Sequence, residues 1–310
     1  MRMGPHSALL RAGRASLTLA CLLAVLLVAP SGASASARLH PTSAAAAGEA
    51  ARISHYWTAA RMSATRPLDA PRGGPLDALA SFAQVVEPTV PPYAVNGRLF
   101  VRQGGKEGFC SATAIDSPSR TLVLTAGHCV NSGPEPPNGH SVWSSLLEFV
   151  PAYSGGTAPF GAFIAHRKSV FALKQWVKFS NPNFDIGAIV VAPNAEGVNV
   201  ADAVGGGAAL ATDLSRRQEF QTFGYPGSTR RMQGCNSPYV GDDILTYRIP
   251  GPPTIAISCH WIPGASGGGW LIDEGTMIDG LTSYGKRGDR QHTFSPYFSR
   301  RNVGRLTAGL

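Results

Sequence analysis

Three residues that lie far apart along the chain could together carry out nucleophilic chemistry. Ser266 lies in the glycine-rich string PGASGGG, His128 lies in TAGHC, and Asp185 lies between them in NFDIG. A serine hydroxyl attacks a carbonyl only when a base takes its proton, and a histidine is such a base when a carboxylate fixes its tautomer. The set therefore indicates acyl transfer, with Ser266 as nucleophile, His128 as general base and Asp185 as orienting group.

The glycines around Ser266 have a chemical use of their own. The attacked carbonyl becomes an oxyanion, and backbone N–H groups reach it only where no side chain intervenes. We expect the amides of Gly264 and Ser266 to form this oxyanion hole.

Each string alone has an ordinary structural explanation. Ser266 could be a loop serine, His128 a core histidine, and Asp185 a turn residue or strand cap. The combination favours catalysis, because each string adjoins an apolar run that is typical of a buried strand. The order His, Asp, Ser also differs from Ser, Asp, His in α/β-hydrolases and from Asp, His, Ser in subtilisins.

These strings resemble the secreted trypsin-like (chymotrypsin-fold) serine peptidases, in particular the bacterial branch of glutamyl-endopeptidase-like enzymes. The resemblance runs from Gly97 to the C-terminus. The string FCSAT at 109–113 is similar to the strand before the histidine motif, and GLTSYG at 280–285 to the strand after the nucleophile. The resemblance implies that the backbone of Ser283, Tyr284 and Gly285 pairs with an extended substrate.

Many short apolar runs separated by glycine and proline predict an all-β fold. The predicted strands are Leu99–Val101, Ala112–Ile115, Leu122–Thr125, Leu147–Val150, Ile186–Val191, Phe220–Phe223, Ile244–Tyr247, Thr254–Ser258, Trp270–Ile272 and Ile278–Tyr284. The resemblance implies two six-stranded antiparallel β-barrels with the active site between them. Residues 296–310 are expected to close the fold as a short helix.

The composition argues against several other classes of function. The formal net charge of +8 falls to +5 when the three leader arginines (Arg2, Arg11 and Arg14) are removed. The remaining basic residues are scattered, so we expect no nucleic-acid partner. The expected partner is a protein or peptide substrate, and we expect a monomer that needs no cofactor or metal.

The N-terminus has the pattern of a secretory signal peptide. Arginines precede the apolar run 17–29, and A-x-A sequences follow at 33–37. The run is shorter than a membrane span requires, so we expect no stable anchor. We predict a signal peptide at 1–37, a pro-segment or flexible stalk at 38–95, and the peptidase domain at 96–310.

Four cysteines remain once Cys21 leaves with the leader, and disulfides persist in exported proteins. Spacing alone allows three pairings. The resemblance implies a bond between Cys110 and Cys129, which leaves Cys235 with Cys259. A zinc site is the alternative use, but the sequence contains no C-x-x-C pair.

The chain departs from the family pattern at positions that concern activation, the nucleophile turn and specificity. Ala265 stands where animal digestive members carry an aspartate that pairs with a newly formed amino terminus, so we predict that a pro-segment acts sterically or in folding. His260 stands where an aspartate would select Lys or Arg, and Thr282 where glutamate-specific relatives have histidine. His260 is a candidate substrate-binding residue, as is His292, although either could be an ordinary loop histidine. Gly269 replaces a usual proline.

The sequence thus predicts a secreted serine endopeptidase that works through an acyl-enzyme. The alternative is a secreted, non-catalytic protein of the same fold that binds a partner. The presence of all three chemical residues favours the enzyme.

Overall fold

Two β-sheets form most of the regular structure. The computed structural model describes residues 43–70, 84–134, 139–227, 229, 231–260 and 262–310. The predicted signal peptide at 1–37 and a central part of the predicted pro-segment, 71–83, lie outside these residues.

The strands in the described residues are β1 (Gln84–Val85), β2 (Asn96–Gln103), β3 (Lys106–Ala114), β4 (Leu122–Thr125), β5 (Ser145–Pro151), β6 (Phe163–Ala172), β7 (Gly187–Val191), β8 (Ala209–Leu210), β9 (Glu219–Gly224), β10 (Gln233–Asp242), β11 (Ile255–Ile257), β12 (Gly269–Ile272), β13 (Met277–Leu281) and β14 (Thr293–Ser295). The α-helices are α1 (Ser43–Tyr56), α2 (Ala59–Ala64), α3 (Gly127–Val130), α4 (Lys174–Phe179), α5 (Val200–Ala203) and α6 (Val303–Thr307).

The first sheet is a closed antiparallel barrel in the order β2-β3-β4-β7-β6-β5. All four residues of β4 are buried. This fits its uninterrupted run of Leu, Val, Leu and Thr, because a strand that is covered on both faces has no need for alternating polarity.

The second sheet follows the path β14-β11-β10-β9-β12-β13-β8. Six of these strands pair antiparallel with their neighbours, while β8 is parallel to β13 and β1 adds to β10. The predicted all-β class, with a closed six-stranded barrel and a second sheet, is confirmed. The predicted C-terminal helix is also confirmed, as α6, with Phe298 and Val303 fully buried.

The segment before the barrel contains more regular structure than its sequence pattern indicates. Helix α1 packs against β5 and β6, and Ile53 and Trp57 are 1% and 3% exposed. The indole Nε1 of Trp57 donates to the carbonyl of Leu146 at 2.5 Å. Helix α1 and Trp57 are therefore held on the surface of the first barrel.

One predicted strand is wrong. Residues Ile244–Arg248 form a 3-10 helix instead of a strand at Ile244–Tyr247. The Asp243 carboxylate accepts a hydrogen bond from the Leu245 N–H at the start of this turn, which fixes a helical start. The apolar run was predicted to be a buried strand, but its side chains lie in solvent: Ile244 is 73% exposed and Leu245 is 61% exposed.

Two disulfides cross-link the fold. Cys110 is bonded to Cys129, and Cys235 to Cys259. The first ties β3 to α3, and the second ties β10 to the segment that precedes the Ser266 loop. Over the described ranges, none of the helices has both the length and the apolar character needed to cross a membrane.

Candidate active site

His128 lies at the end of a buried strand, as its sequence context predicts. Strand β4 ends at Thr125 and the short helix α3 begins at Gly127. A Cβ at position 127 would lie 2.9 Å from both Asp185 Oδ1 and the Trp176 ring. The glycine before the histidine is therefore required by the close approach of these two side chains.

Asp185 holds His128 through two hydrogen bonds. Its Oδ2 lies 2.8 Å from His128 Nδ1, and its Oδ1 accepts from the His128 backbone N–H at 2.7 Å. Asp185 itself is 2% exposed and follows the 3-10 helix Pro182–Phe184. Ser283, from the second sheet, donates its hydroxyl to Asp185 Oδ2 at 2.6 Å. The carboxylate is thus fixed from both halves of the molecule.

The loop that carries Ser266 is attached to the first barrel by Ser111. The Ser111 N–H donates to the Ser266 carbonyl at 2.8 Å, and the Ser111 hydroxyl donates to the Gly264 carbonyl at 2.8 Å. The same hydroxyl accepts from the Tyr225 N–H at 2.9 Å. Ser111 therefore positions the nucleophile loop against the barrel that bears His128 and Asp185.

The conformation of this loop requires glycine at position 264. Gly264 has a φ of +95°, a region that side-chain-bearing residues rarely adopt. Its N–H donates to Asp69 Oδ1 at 2.9 Å, and Ser266 Oγ donates to Asp69 Oδ2 at 2.6 Å. The predicted nucleophile and one predicted oxyanion donor thus both bind the same carboxylate, which comes from the segment before the barrel.

The second nitrogen of His128 is buried without a hydrogen-bond partner among the described residues. Burial lowers the pKa of His128, but the charge of Asp185, its hydrogen bond and the charge of Asp69 outweigh burial, so the pKa is raised. An imidazole held this way at Nδ1 has Nε2 available to accept a proton.

A cavity of about 450 Å³ opens beside His128. Its apolar wall includes Trp176, Leu245 and Ile249, and Tyr284 lines it as well. The Trp176 ring centroid lies 6.1 Å from that of His128, and its Nε1 donates to the Asn131 carbonyl at 2.8 Å. An extended chain that reaches His128 along this side would contact mostly apolar surface.

The predicted substrate-binding residues are placed differently from one another. Ser283 uses its side chain on Asp185, while the N–H and carbonyl of Tyr284 both pair with Phe294. Gly285 follows and is partly exposed. The backbone of Tyr284 is therefore already engaged, and its side chain is what faces the cavity.

His260 and His292 also differ in surroundings. His260 lines a cavity of about 50 Å³ that Ala265 and Thr282 share. His292 Nδ1 lies 2.9 Å from Asp289 Oδ2, so a neighbouring carboxylate already faces its imidazole.

Cys110, Cys129 and His128 have potential metal-ligand atoms within 4.8 Å of one another. The two sulfurs are bonded to each other. A disulfide lacks the thiolates that bind zinc, so this cluster does not fit a metal centre.

Three residues at the site were missed by sequence reasoning: Asp69, Ser111 and Trp176. Ser111 lies inside the FCSAT string, so the sequence could have identified it as a candidate site residue. Asp69 and Trp176 carry no local signal, because their roles depend on contacts with residues 197 and 45 positions away.

The fold agrees with solved structures of serine proteases of the trypsin-like fold. Protease Anisep from Arthrobacter nicotinovorans is 26% identical with a TM-score of 0.62, over 73% of this chain and 100% of that chain. The thermostable serine protease AL20 from an extremophilic microorganism is 24% identical with a TM-score of 0.60, over 70% and 98%.

A Glu endopeptidase is 17% identical with a TM-score of 0.56, over 72% of this chain and 94% of that chain. No protein-family model and no curated protein matches the sequence. The chain therefore has the chymotrypsin fold, and its structural neighbours support protease function in general.

Proposed function

We propose that this chain is a secreted serine endopeptidase that hydrolyses peptide bonds through an acyl-enzyme. The observation that carries the proposal is the His128 to Asp185 hydrogen bond of 2.8 Å, with Nε2 unpaired within the described structure and the Ser266 loop tied to the same barrel through Ser111.

The proposed reaction has two halves. Ser266 Oγ attacks the substrate carbonyl while His128 Nε2 takes its proton, and the amides of Gly264 and Ser266 stabilise the oxyanion. His128 then gives the proton to the leaving amine as the peptide C–N bond breaks. In the second half a water molecule loses a proton to His128 and attacks the ester carbonyl. The bond between the acyl carbon and Ser266 Oγ then breaks as His128 returns the proton to Oγ, which releases the acid and restores the free serine.

Two further features support an exported enzyme. The four cysteines outside the predicted leader form two disulfides, and such bonds persist in oxidising compartments. The predicted leader at 1–37 directs the chain there.

A fluorophosphonate probe tests the proposal because it esterifies an activated serine. The purified chain is incubated with the probe and followed by intact mass, and cleavage of a peptide library is measured in parallel. We expect one label on Ser266 and none in Ser266→Ala, with labelling at least about 100-fold slower in His128→Ala. An unlabelled Ser266 in every form of the chain, together with an uncleaved library, would favour the non-catalytic binding protein.

A further inference from the structure

The residues Arg66–Asp69, here called the inhibitory segment, lie in the candidate active site. The Leu68 N–H donates to the Phe109 carbonyl at 2.9 Å, and the Phe109 N–H donates to the Arg66 carbonyl at 3.1 Å. Pro67 forms a parallel bridge with Phe109. The segment thus pairs as a short additional strand with β3 at Phe109. Ala112 and Thr113, further along β3, lie in the barrel.

Close backbone approach shows how tightly this segment is seated. A Cβ on Gly108 would lie 2.9 Å from Leu68 Cα, and a Cβ on Gly264 would lie 3.2 Å from Pro67 Cγ. Pro67 is buried. The glycines at positions 108 and 264 therefore allow the segment to pack closely against the backbone.

The segment ends in a carboxylate that binds the predicted nucleophile and one predicted oxyanion donor. Asp69 accepts from Ser266 Oγ at 2.6 Å and from the Gly264 N–H at 2.9 Å. Ser266 is 0% exposed. A carboxylate carries the kind of negative charge that the Gly264 N–H is expected to stabilise in the oxyanion, and charge-assisted hydrogen bonds of this kind are strong.

The contact also diverts the serine proton. The Ser266 hydroxyl donates to Asp69, so its hydrogen is not directed at His128 Nε2, which has no partner in the part of the chain that the structure describes. A carboxylate is a poor electrophile without a leaving group, so it can sit beside the nucleophile and not be consumed.

We propose that the inhibitory segment is a built-in carboxylate inhibitor, in which Asp69 engages the Gly264 N–H of the predicted oxyanion hole and binds the Ser266 hydroxyl until this segment is displaced. The inference rests on the proposed function. In this proposal, the surface formed by Phe109, Gly264 and Ser266 binds residues Pro67-Leu68-Asp69 of the same chain.

The test compares the fluorophosphonate labelling rate of the full chain with that of Asp69→Ala. Intact mass spectrometry counts only label on the uncleaved chain, so that processing does not enter the rate. We expect Asp69→Ala to label at least about 10-fold faster than the unmodified chain. Glu196→Gln, which removes an exposed carboxylate in the loop at 194–198, is the matched control and should label at the unmodified rate.

Gly108→Ala is the second variant, because its Cβ would press on the Leu68 backbone and so displace the segment without removing the Asp69 carboxylate from the chain. It should also label faster. If Ser266 labels equally fast in the unmodified chain and in both variants, the inhibitory contact is overturned while the proposed enzyme stands. If Ser266 labels in none of them, nor after the segment has been cleaved off, the proposed function fails and the inhibition with it. Circular dichroism and thermal unfolding establish that each variant is folded.

Discussion

The Ser283 hydroxyl donates to Asp185 Oδ2 at 2.6 Å and so links the second sheet to the carboxylate that holds His128. Asp185 is buried, and a buried carboxylate is costly unless its oxygens are hydrogen-bonded. Ser283 therefore acts as a positioning residue, through Asp185.

Replacing Ser283 by alanine should lower kcat about 10-fold and leave KM nearly unchanged, because the lost bond orients the base and touches no substrate. Steady-state kinetics of peptide cleavage measure this. Asp185→Asn should cost much more, about 10,000-fold, since an asparagine favours the wrong tautomer of His128. The kcat of the double variant should be only slightly lower than that of Asp185→Asn alone. If the two losses in kcat multiply instead, Ser283 does not act through Asp185.

The cavity beside His128 predicts a specificity effect at Trp176. Trp176→Ala removes the large apolar wall of this cavity, so KM for peptides with apolar residues on the acyl side should rise about 10-fold. Phe179, which is 71% exposed on the same helix, supplies the control. A rise in KM that is equal for apolar and polar peptides, or equal in Phe179→Ala, would count against the cavity as a subsite.

Asp69 should tune the imidazole as well as cover the serine. Its negative charge is one of the causes that raise the pKa of His128, so Asp69→Asn should lower that pKa. The measurement is an NMR titration of the His128 ring proton in the full chain, in a Ser266→Ala background that lacks the proposed nucleophile. An unchanged or higher pKa in Asp69→Asn would show that the carboxylate does not face the imidazole in solution.

Much of this site could be predicted because its three strings are local. TAGHC and PGASGGG need no distant contact to be recognised, and the apolar runs beside them place each residue at a strand end. The order of the strands and the role of Asp69 could not be predicted in this way. Asp69 meets Ser266 across 197 positions, and nothing in the sequence Pro67-Leu68-Asp69 itself distinguishes an inhibitor from a turn.

Ile244–Tyr247 and β10 show the opposite limits of apolar patterning. Ile244–Tyr247 is apolar but exposed, and the Asp243 carboxylate caps it as a helical turn by accepting from the Leu245 N–H. The second was not predicted, since Gln233–Asp242 includes glycine, proline and polar residues. Pairing with β9 over six residues and with β11 holds this strand in place, so tertiary context outweighs its low intrinsic propensity.

The two disulfides should contribute measurably to the free energy of unfolding. They close loops with separations of 19 and 24 residues, for which restriction of the unfolded chain corresponds to about 3 kcal/mol each. Replacing Cys235 and Cys259 together by serine should therefore lower the free energy of unfolding by about that amount, measured by urea denaturation. The Cys110 and Cys129 pair should cost a similar amount and also reduce activity, because it anchors α3. A loss well under 1 kcal/mol in both would contradict the prediction.

Glu148 should make the stability of the first barrel depend on pH. This side chain on β5 is 2% exposed, and its Oε2 has no hydrogen-bond partner among the residues described. Burial raises the pKa of Glu148 to about 8 from an ordinary value of 4.5. The folded state therefore binds a proton that the unfolded state has lost, so this group's contribution to the free energy of unfolding falls as pH rises between these values, by up to about 1.4 kcal/mol per pH unit.

Glu148→Gln should abolish that slope, because glutamine is neutral throughout. The measurement is the difference in free energy of unfolding between variant and unmodified chain from pH 5 to 9. The difference should grow in favour of the variant up to about pH 8 and then level off. Asp279, whose pKa burial raises to about 7, contributes equally to both proteins and cancels. Glu196→Gln gives the baseline for an exposed carboxylate, and a flat difference curve for Glu148→Gln would mean that its carboxyl is solvated in the folded chain.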